Sequence, residues 1–152
     1  MNIRFAILND IPVYVELGKE VHKTTRFKDF GYDEKKMAKQ LRAMVENPKG
    51  THCFFVAESN KQEPIGWLLG CVESHLFSEH VIASVINYGV VPKKRMSGAG
   101  LRLLTAFRKW AENRNAIEIN AGVNSGIELD KMDTFLRKLG FELTGGNYSL
   151  SI

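Results

Sequence analysis

The sequence predicts a mixed α/β fold, a central mixed sheet flanked by helices, and three observations predict it. Between Thr51 and Val91, apolar β-type runs follow one another across short polar turns, the pattern of an antiparallel meander. Helix-length stretches with apolar residues at three- and four-residue spacing stand before and after that meander. The stretch from Ile86 to Trp110, INYGVVPKKRMSGAGLRLLTAFRKW, runs from an apolar strand through Pro92, a cationic patch and a glycine-rich turn straight into an amphipathic helix.

Taken in order, Ile3 to Leu8 reads as a first strand, and Asn9 or Asp10 can cap the helix that follows, with Pro12 in its first turn, where a missing N–H costs nothing. Val13 (or Val15), Leu17 and Val21 give that helix its apolar stripe to about residue 22. The polar segment His22 to Tyr32 carries Phe27, Phe30 and Tyr32, so it either pins itself to the core with these rings or forms a lid or wall of a binding pocket. Asp33 caps a second helix with Met37, Leu41, Met44 and Val45 on one face, and Asn47-Pro48-Lys49-Gly50 ends it. Thr51–Glu58, Ile65–Ser74 and His80–Val91 are the strands of the meander. After the central helix, Ala116 to Val123 alternates apolar and polar residues as a half-buried strand should. Glu128 to Leu139 is a helix with Met132, Phe135, Leu136 and Leu139 on one face, stopped by Gly140. Phe141–Thr144 and Asn147–Ile152 are expected to close the chain as a hairpin across Gly145-Gly146. The expected order is β-α-α-β-β-β-α-β-α-β-β, in one domain over residues 1–152.

Composition narrows the function. With 152 residues and 44% apolar content the chain can bury a sizeable core. A net charge of +4, dispersed among carboxylates, argues against a nucleic-acid partner, whereas Lys93, Lys94, Arg95 and Arg102 cluster where a polyanionic small ligand would suit them. No stretch approaches the roughly 18 to 20 apolar residues that span a bilayer, and MNIRFAILND has no basic region followed by a long apolar core, so no membrane partner and a cytoplasmic location are expected. Cys53 and Cys71 sit in apolar runs as small buried thiols. Their spacing to His52 and His75 forms no ligand motif, so no metal is expected. Oligomeric state is left at monomer or homodimer.

The stretch around Gly98 makes an anion cradle. A helix start leaves backbone N–H groups without intrahelical acceptors and adds a partial positive charge, so phosphate is its natural ligand, and glycines let the backbone come close. A dinucleotide-binding reading fails, because the third glycine of that fingerprint would fall at Leu103.

Arg95-Met96-Ser97-Gly98-Ala99-Gly100 resembles the Q/R-x-x-G-x-G/A signature of the GNAT superfamily of acyl-CoA-dependent N-acetyltransferases. Val90-Val91-Pro92 stands where that family ends its fourth strand, FLRKLGF from Phe135 to Phe141 is a second similar element, and MNIRFAILNDIPVYVEL is similar to the family's opening. The resemblance spans nearly the whole chain and is sharpest from Val90 to Leu104. It implies transfer of an acetyl group from acetyl-CoA, as co-substrate, directly to a primary amine of a small molecule or peptide. The alternative it leaves is a non-catalytic acyl-CoA-binding or regulatory domain. It further implies that the backbone of Val90 and Val91 holds the pantetheine arm and the thioester carbonyl, and that the N–H groups of Arg95, Met96, Ser97, Gly98, Ala99, Gly100 and Leu101 hold the pyrophosphate. Asn124 is a candidate contact to the coenzyme arm or a simple turn residue, and Lys93 or Arg102 is either a partner of the outer phosphate or a surface charge.

The catalytic groups depart from the family pattern. Many relatives carry a carboxylate on the fourth strand, where this chain has Asn87, Tyr88 and Gly89. Glu73 and His75, on one face of the preceding strand, are the replacement candidates for the general base, directly or through a water. Tyr88 is a candidate for the acceptor pocket or a core aromatic. Where relatives often place a proton-donating Tyr, this chain has Leu136, which leaves Ser125, Tyr148 or water as the donor. Met96, where many relatives carry Gly, is expected to crowd the pyrophosphate turn.

Overall fold

The computed structural model describes residues 1–152. Strand β1 (Asn2–Phe5) is shorter than the apolar run suggested, because Ala6 turns inward to donate its N–H to Phe54 O at 2.8 Å. A 3-10 turn at Leu8–Asp10 follows. The Arg4 guanidinium fixes this corner by reaching Asp10 at 2.7 Å and Glu58 at 2.9 Å, while Asp10 Oδ2 accepts the Ile7 N–H at 2.7 Å. Helix α1 (Ile11–His22) has Pro12 in its first turn, as expected. Helix α2 (Glu34–Glu46) is capped by Asp33, whose Oδ1 accepts the Lys36 N–H at 2.9 Å. Asn47 ends it in the left-handed region at φ 38°, and its carboxamide bonds both backbone groups of His52, aiming the chain into the next strand.

Strands β2 (His52–Glu58), β3 (Pro64–Ser74) and β4 (Val81–Val90) form the antiparallel meander. Helix α3 (Ala99–Glu112) then crosses over to β5 (Ala116–Ala121), which pairs with β4 in parallel, and α4 (Leu129–Lys138) follows. The sheet order is β1-β2-β3-β4-β5. Helices cover both faces. On one side, Tyr14, Val15 and Leu41 from α1 and α2 bury Phe54, Val56, Trp67 and Leu69. On the other, Leu103, Leu104 and Phe107 of α3, with Leu136 of α4, bury Phe55, Leu68 and Ala83. Gly70 is required here, since a Cβ would run into the Phe107 ring lying across β3.

The expected terminal hairpin is not formed. Residues 141–152 carry no strand, and Leu143, Tyr148, Leu150 and Ile152 are exposed. A ribbon this short gains too little from its own ladder to hold without a sheet beside it or a core beneath it, and no strand lies against the free side of β5. Between β5 and this terminal segment lies a cavity of about 1530 Å³, lined by Ile119, Ala121, Leu139 and Phe141 among others. No helix is long and apolar enough to cross a membrane, and no three His, Cys, Asp or Glu side chains converge as metal ligands do. Burial lifts the Cys53 thiol to about 12, so it is protonated and inert at neutral pH.

Candidate active site

The site begins where two parallel strands part. The β4–β5 register runs from Val81↔Ala116 to Val85↔Ala121 and stops there. On the β3 side, Gly70 pairs with Val85 but Leu69 pairs with Asn87, so Ile86 is an extra residue and β4 bulges at that point. A bulge bends its strand and strengthens the local twist. Beyond it, Asn87 to Val90 stay paired to β3 and leave β5, opening a gap between the strand ends.

The ladder dictates what that gap presents. Val91 donates its N–H to Ile65 O at 2.8 Å, toward β3. Backbone groups alternate sides along a strand, so Gly89 also faces β3, while the N–H and C=O of Tyr88 and Val90 face the gap without a strand partner. Of the two valines expected to contact the coenzyme arm, Val90 offers its amide and Val91 has already spent its own. The side chains divide as well. Asn87 points to the α1 face, where its Oδ1 accepts from Trp67 Nε1 at 2.6 Å. Tyr88 points to the α3 face, with its phenol oxygen over Gly100.

After Val91 the chain forms a 3-10 turn over Pro92–Ser97 and enters α3 through Gly98 at φ 80°. The seven residues expected to act as one cradle thus fall into two parts joined by a left-handed glycine, which a non-glycine residue adopts only with strain. Nothing lies within 4 Å of a Cβ built on Gly98, so its surroundings are open to a ligand. Within α3 the first N–H to reach back is that of Arg102, to Gly98 O at 3.2 Å, and the Ala99 N–H turns to Ser97 Oγ at 3.3 Å. The Gly100 and Leu101 N–H groups remain at the positive end of the helix dipole. Met96 is 99% exposed and leaves the turn uncrowded, contrary to expectation, because the 3-10 geometry turns it outward. Arg102 donates to Met1 O at 2.9 Å, which ties it to the start of the chain.

The opposite wall is the connection from β5 to α4. Asn124 is exposed there, and its carbonyl accepts from Arg26 Nε at 2.7 Å, while Ser125 O accepts the Arg26 backbone N–H at 3.0 Å. The α1–α2 loop therefore docks on the end of β5. Arg95, from the 3-10 turn, reaches across to Glu128 at 2.7 Å, and Glu128 also holds Lys131 at 2.6 Å. This pair bridges the two sides of the mouth.

Tyr88 is raised to about 12 because burial disfavours its anion, so at neutral pH it is a neutral hydroxyl able to donate. Leu136 is buried beneath α3 rather than open to the gap. Glu73 and His75 stand apart from this arrangement. Glu73 pairs with Ile82, about 25 Å along β4 from Val90, and His75 closes the β3–β4 turn through His80 and Phe77. Both are exposed at the far end of the hairpin, because β3 runs antiparallel to β4 and its C-terminal end meets the start of β4. The bulge, the Arg26 docking and the Arg95–Glu128 bridge had no signal in the sequence.

The model of the Acetyltransferase (GNAT) family matches residues 19–141, from within α1 to the residue after Gly140. The chain belongs to this acetyltransferase family. It is an acyltransferase. The fold is shared with solved structures at low identity. The aminoglycoside antibiotic 6'-N-acetyltransferase AAC(6')-Ig from Acinetobacter haemolyticus is 18% identical, with 100% of this chain and 98% of that one covered and a TM-score of 0.75. AAC(6')-Iy, solved with the bisubstrate analog CoA-S-monomethyl-acetylneamine, is 16% identical, with 99% and 97% covered and a TM-score of 0.78. A transcriptional regulator from Bacillus halodurans C-125 is 16% identical, with 99% of each chain covered and a TM-score of 0.80. No curated protein sequence is significantly similar to this one.

Proposed function

We propose that this single-domain chain is an acetyl-CoA-dependent N-acetyltransferase that acts on a primary amine of a small molecule or peptide by direct transfer. The observation that carries this reading is the parting of β4 from β5 at the Ile86 bulge, which leaves the amides of Tyr88 and Val90 unpaired beside the α3 N-terminus. Acetyl-CoA bound there supplies an acyl group activated as a thioester, with a thiol as leaving group. The residues fit it: Val90 and Tyr88 offer strand-type hydrogen bonds to an amide-bearing arm, and the open surroundings of Gly98, with the free N–H groups at the start of α3, suit a pyrophosphate. Lys93 and Lys94 are exposed nearby and form no ion pair, so they add positive potential at the mouth.

No carboxylate lies on β4 beyond the bulge, so the amine loses its proton to solvent or arrives neutral. Asn87 accepts from Trp67 and as a carboxamide takes no proton; its role is to hold the α1 side of the gap. Leu136 has no proton to give, so the departing thiolate, whose thiol has a pKa of about 8.5, takes its proton from solvent, while Tyr88 lines the gap with its hydroxyl over Gly100. Glu73 and His75 are not needed for this scheme.

Thiol release from acetyl-CoA in the presence of an amine panel, read with mass spectrometry of the acylated product, tests the reading. Amine-dependent release with a matching acetylated product supports it. CoA that fails to raise the melting temperature at a hundredfold excess over its apparent Kd, where about 2.7 kcal/mol of stabilisation is due, would sink it.

A further inference from the structure

We infer that the acceptor amine is carried on a molecule with a carboxylate, and that Arg26 is the residue that recognises it; this rests on the acetyltransferase reading above. Arg26 belongs to the α1–α2 loop, yet its backbone N–H and its Nε bond Ser125 O and Asn124 O, which fixes it at the end of β5 where the strands part. Its guanidinium carbon lies 4.2 Å from the Phe27 ring centroid, so the head group is held flat on an aromatic face. Arg26 is exposed and forms no salt bridge, so its two Nη nitrogens are left as a preorganised fork for a carboxylate.

The charge around the gap favours the same ligand. From Ile86 to Val91 and from Ala121 to Ile127 there is no acidic residue. The α1–α2 loop carries Lys23, Arg26 and Lys28 against Asp29 and the helix-capping Asp33, and of the cations Lys23 is paired with Glu20 at 2.6 Å. Phe30, 78% exposed and set edge-on to Phe27, adds apolar surface beside the cations. A polycationic amine such as an aminoglycoside would meet like charge on this wall, with no carboxylate on either strand end to offset it. An amino acid or short peptide, whose carboxylate engages Arg26 while its amine enters the gap, meets complementary charge.

The test compares dipeptides bearing a free C-terminal carboxylate with their C-terminal amides, whose amino groups differ little in basicity, and adds an aminoglycoside. The acid forms should exceed the amides in kcat/KM by about ten- to a hundredfold, the worth of one charge-assisted pair, and the aminoglycoside should fall below both. Arg26→Gln keeps a donor for Asn124 O while removing the charge, and in it the acid-to-amide ratio should collapse toward one. Arg26→Lys, which keeps the charge without the fork, should retain an intermediate ratio. Equal rates on acid and amide, or preference for the aminoglycoside, overturn the carboxylate site and leave the acetyltransferase reading standing. Failure of CoA to bind overturns both.

Discussion

The phenol of Tyr88 stands over Gly100 so closely that a Cβ on that glycine would overlap its oxygen. The glycine at the start of α3 therefore makes room for a neighbour on β4. Gly98 differs, since empty space surrounds it and its φ of 80° is the constraint. One short motif thus holds two glycines for two physical reasons.

Gly100→Ala is expected to destabilise the fold by about 1 to 3 kcal/mol, the usual cost of forcing an atom into a packed site. Adding Tyr88→Phe should restore most of that loss. With the hydroxyl gone, the nearest ring atom is Tyr88 Cζ at 3.4 Å and the next is Phe135 Cζ at 3.7 Å, both ordinary contacts. A double-mutant cycle by urea unfolding checks it, and a coupling energy near zero would mean the two residues do not meet.

Alkaline pH should act through the same tyrosine. Its folded value of about 12 lies above the ordinary 10.0 because burial disfavours the phenolate. A raised value means a contribution present in full below about 10 and lost as pH climbs toward about 12. Tyr14 is shifted the same way by its burial, so Tyr88→Phe should flatten part of the alkaline fall in stability and leave a remainder. Urea midpoints measured across that range decide, and an unchanged slope in Tyr88→Phe contradicts the burial of its hydroxyl.

How far the sequence carries this molecule depends on the range of the interaction involved. Caps and stops were legible because they act within one turn: Asp33 caps α2, Asn47 ends it, and Gly140 takes φ 87° after α4. The meander was legible from its turns. The Ile86 bulge was not, since it arises from how Leu69 and Gly70 pair across the sheet, and neither side chain announces it. Glu73 and His75 look close to the site in sequence, yet an antiparallel hairpin sends their end of β3 away from it. The terminal hairpin failed for the opposite reason, as Asn147–Ile152 alternates polar and apolar residues like a strand but has no ladder to join.

Glu128 holds Arg95, a cation of the proposed phosphate cradle. Its carboxylate sits 2.7 Å from Arg95, with both side chains more than a third exposed, so solvent screens the pair and it holds Arg95 only weakly. Glu128→Gln should free Arg95 and tighten CoA binding by roughly two- to fivefold. Pantetheine, which lacks the pyrophosphate, should bind the variant and the parent alike. Titration calorimetry distinguishes them, and weaker CoA binding in Glu128→Gln would show that the bridge holds the cradle in shape.

Leu136 stands where relatives often place a tyrosine. Leu136 is only 8% exposed and packs with Leu103, Leu104 and Phe107 beneath α3, and its neighbour Phe135 reaches toward Gly100. A tyrosine there must either overfill that core or bury its hydroxyl without a partner. The first costs about 1 to 3 kcal/mol and the second a similar amount. Leu136→Tyr is therefore expected to lower the unfolding free energy by about 1 to 3 kcal/mol with no gain in turnover, because the new side chain is held in the core beneath α3. Chemical unfolding and thiol-release kinetics on the same protein separate the outcomes. Unchanged stability together with a rise in turnover of up to about tenfold, or ~1.4 kcal/mol of barrier, would place the new hydroxyl in the gap.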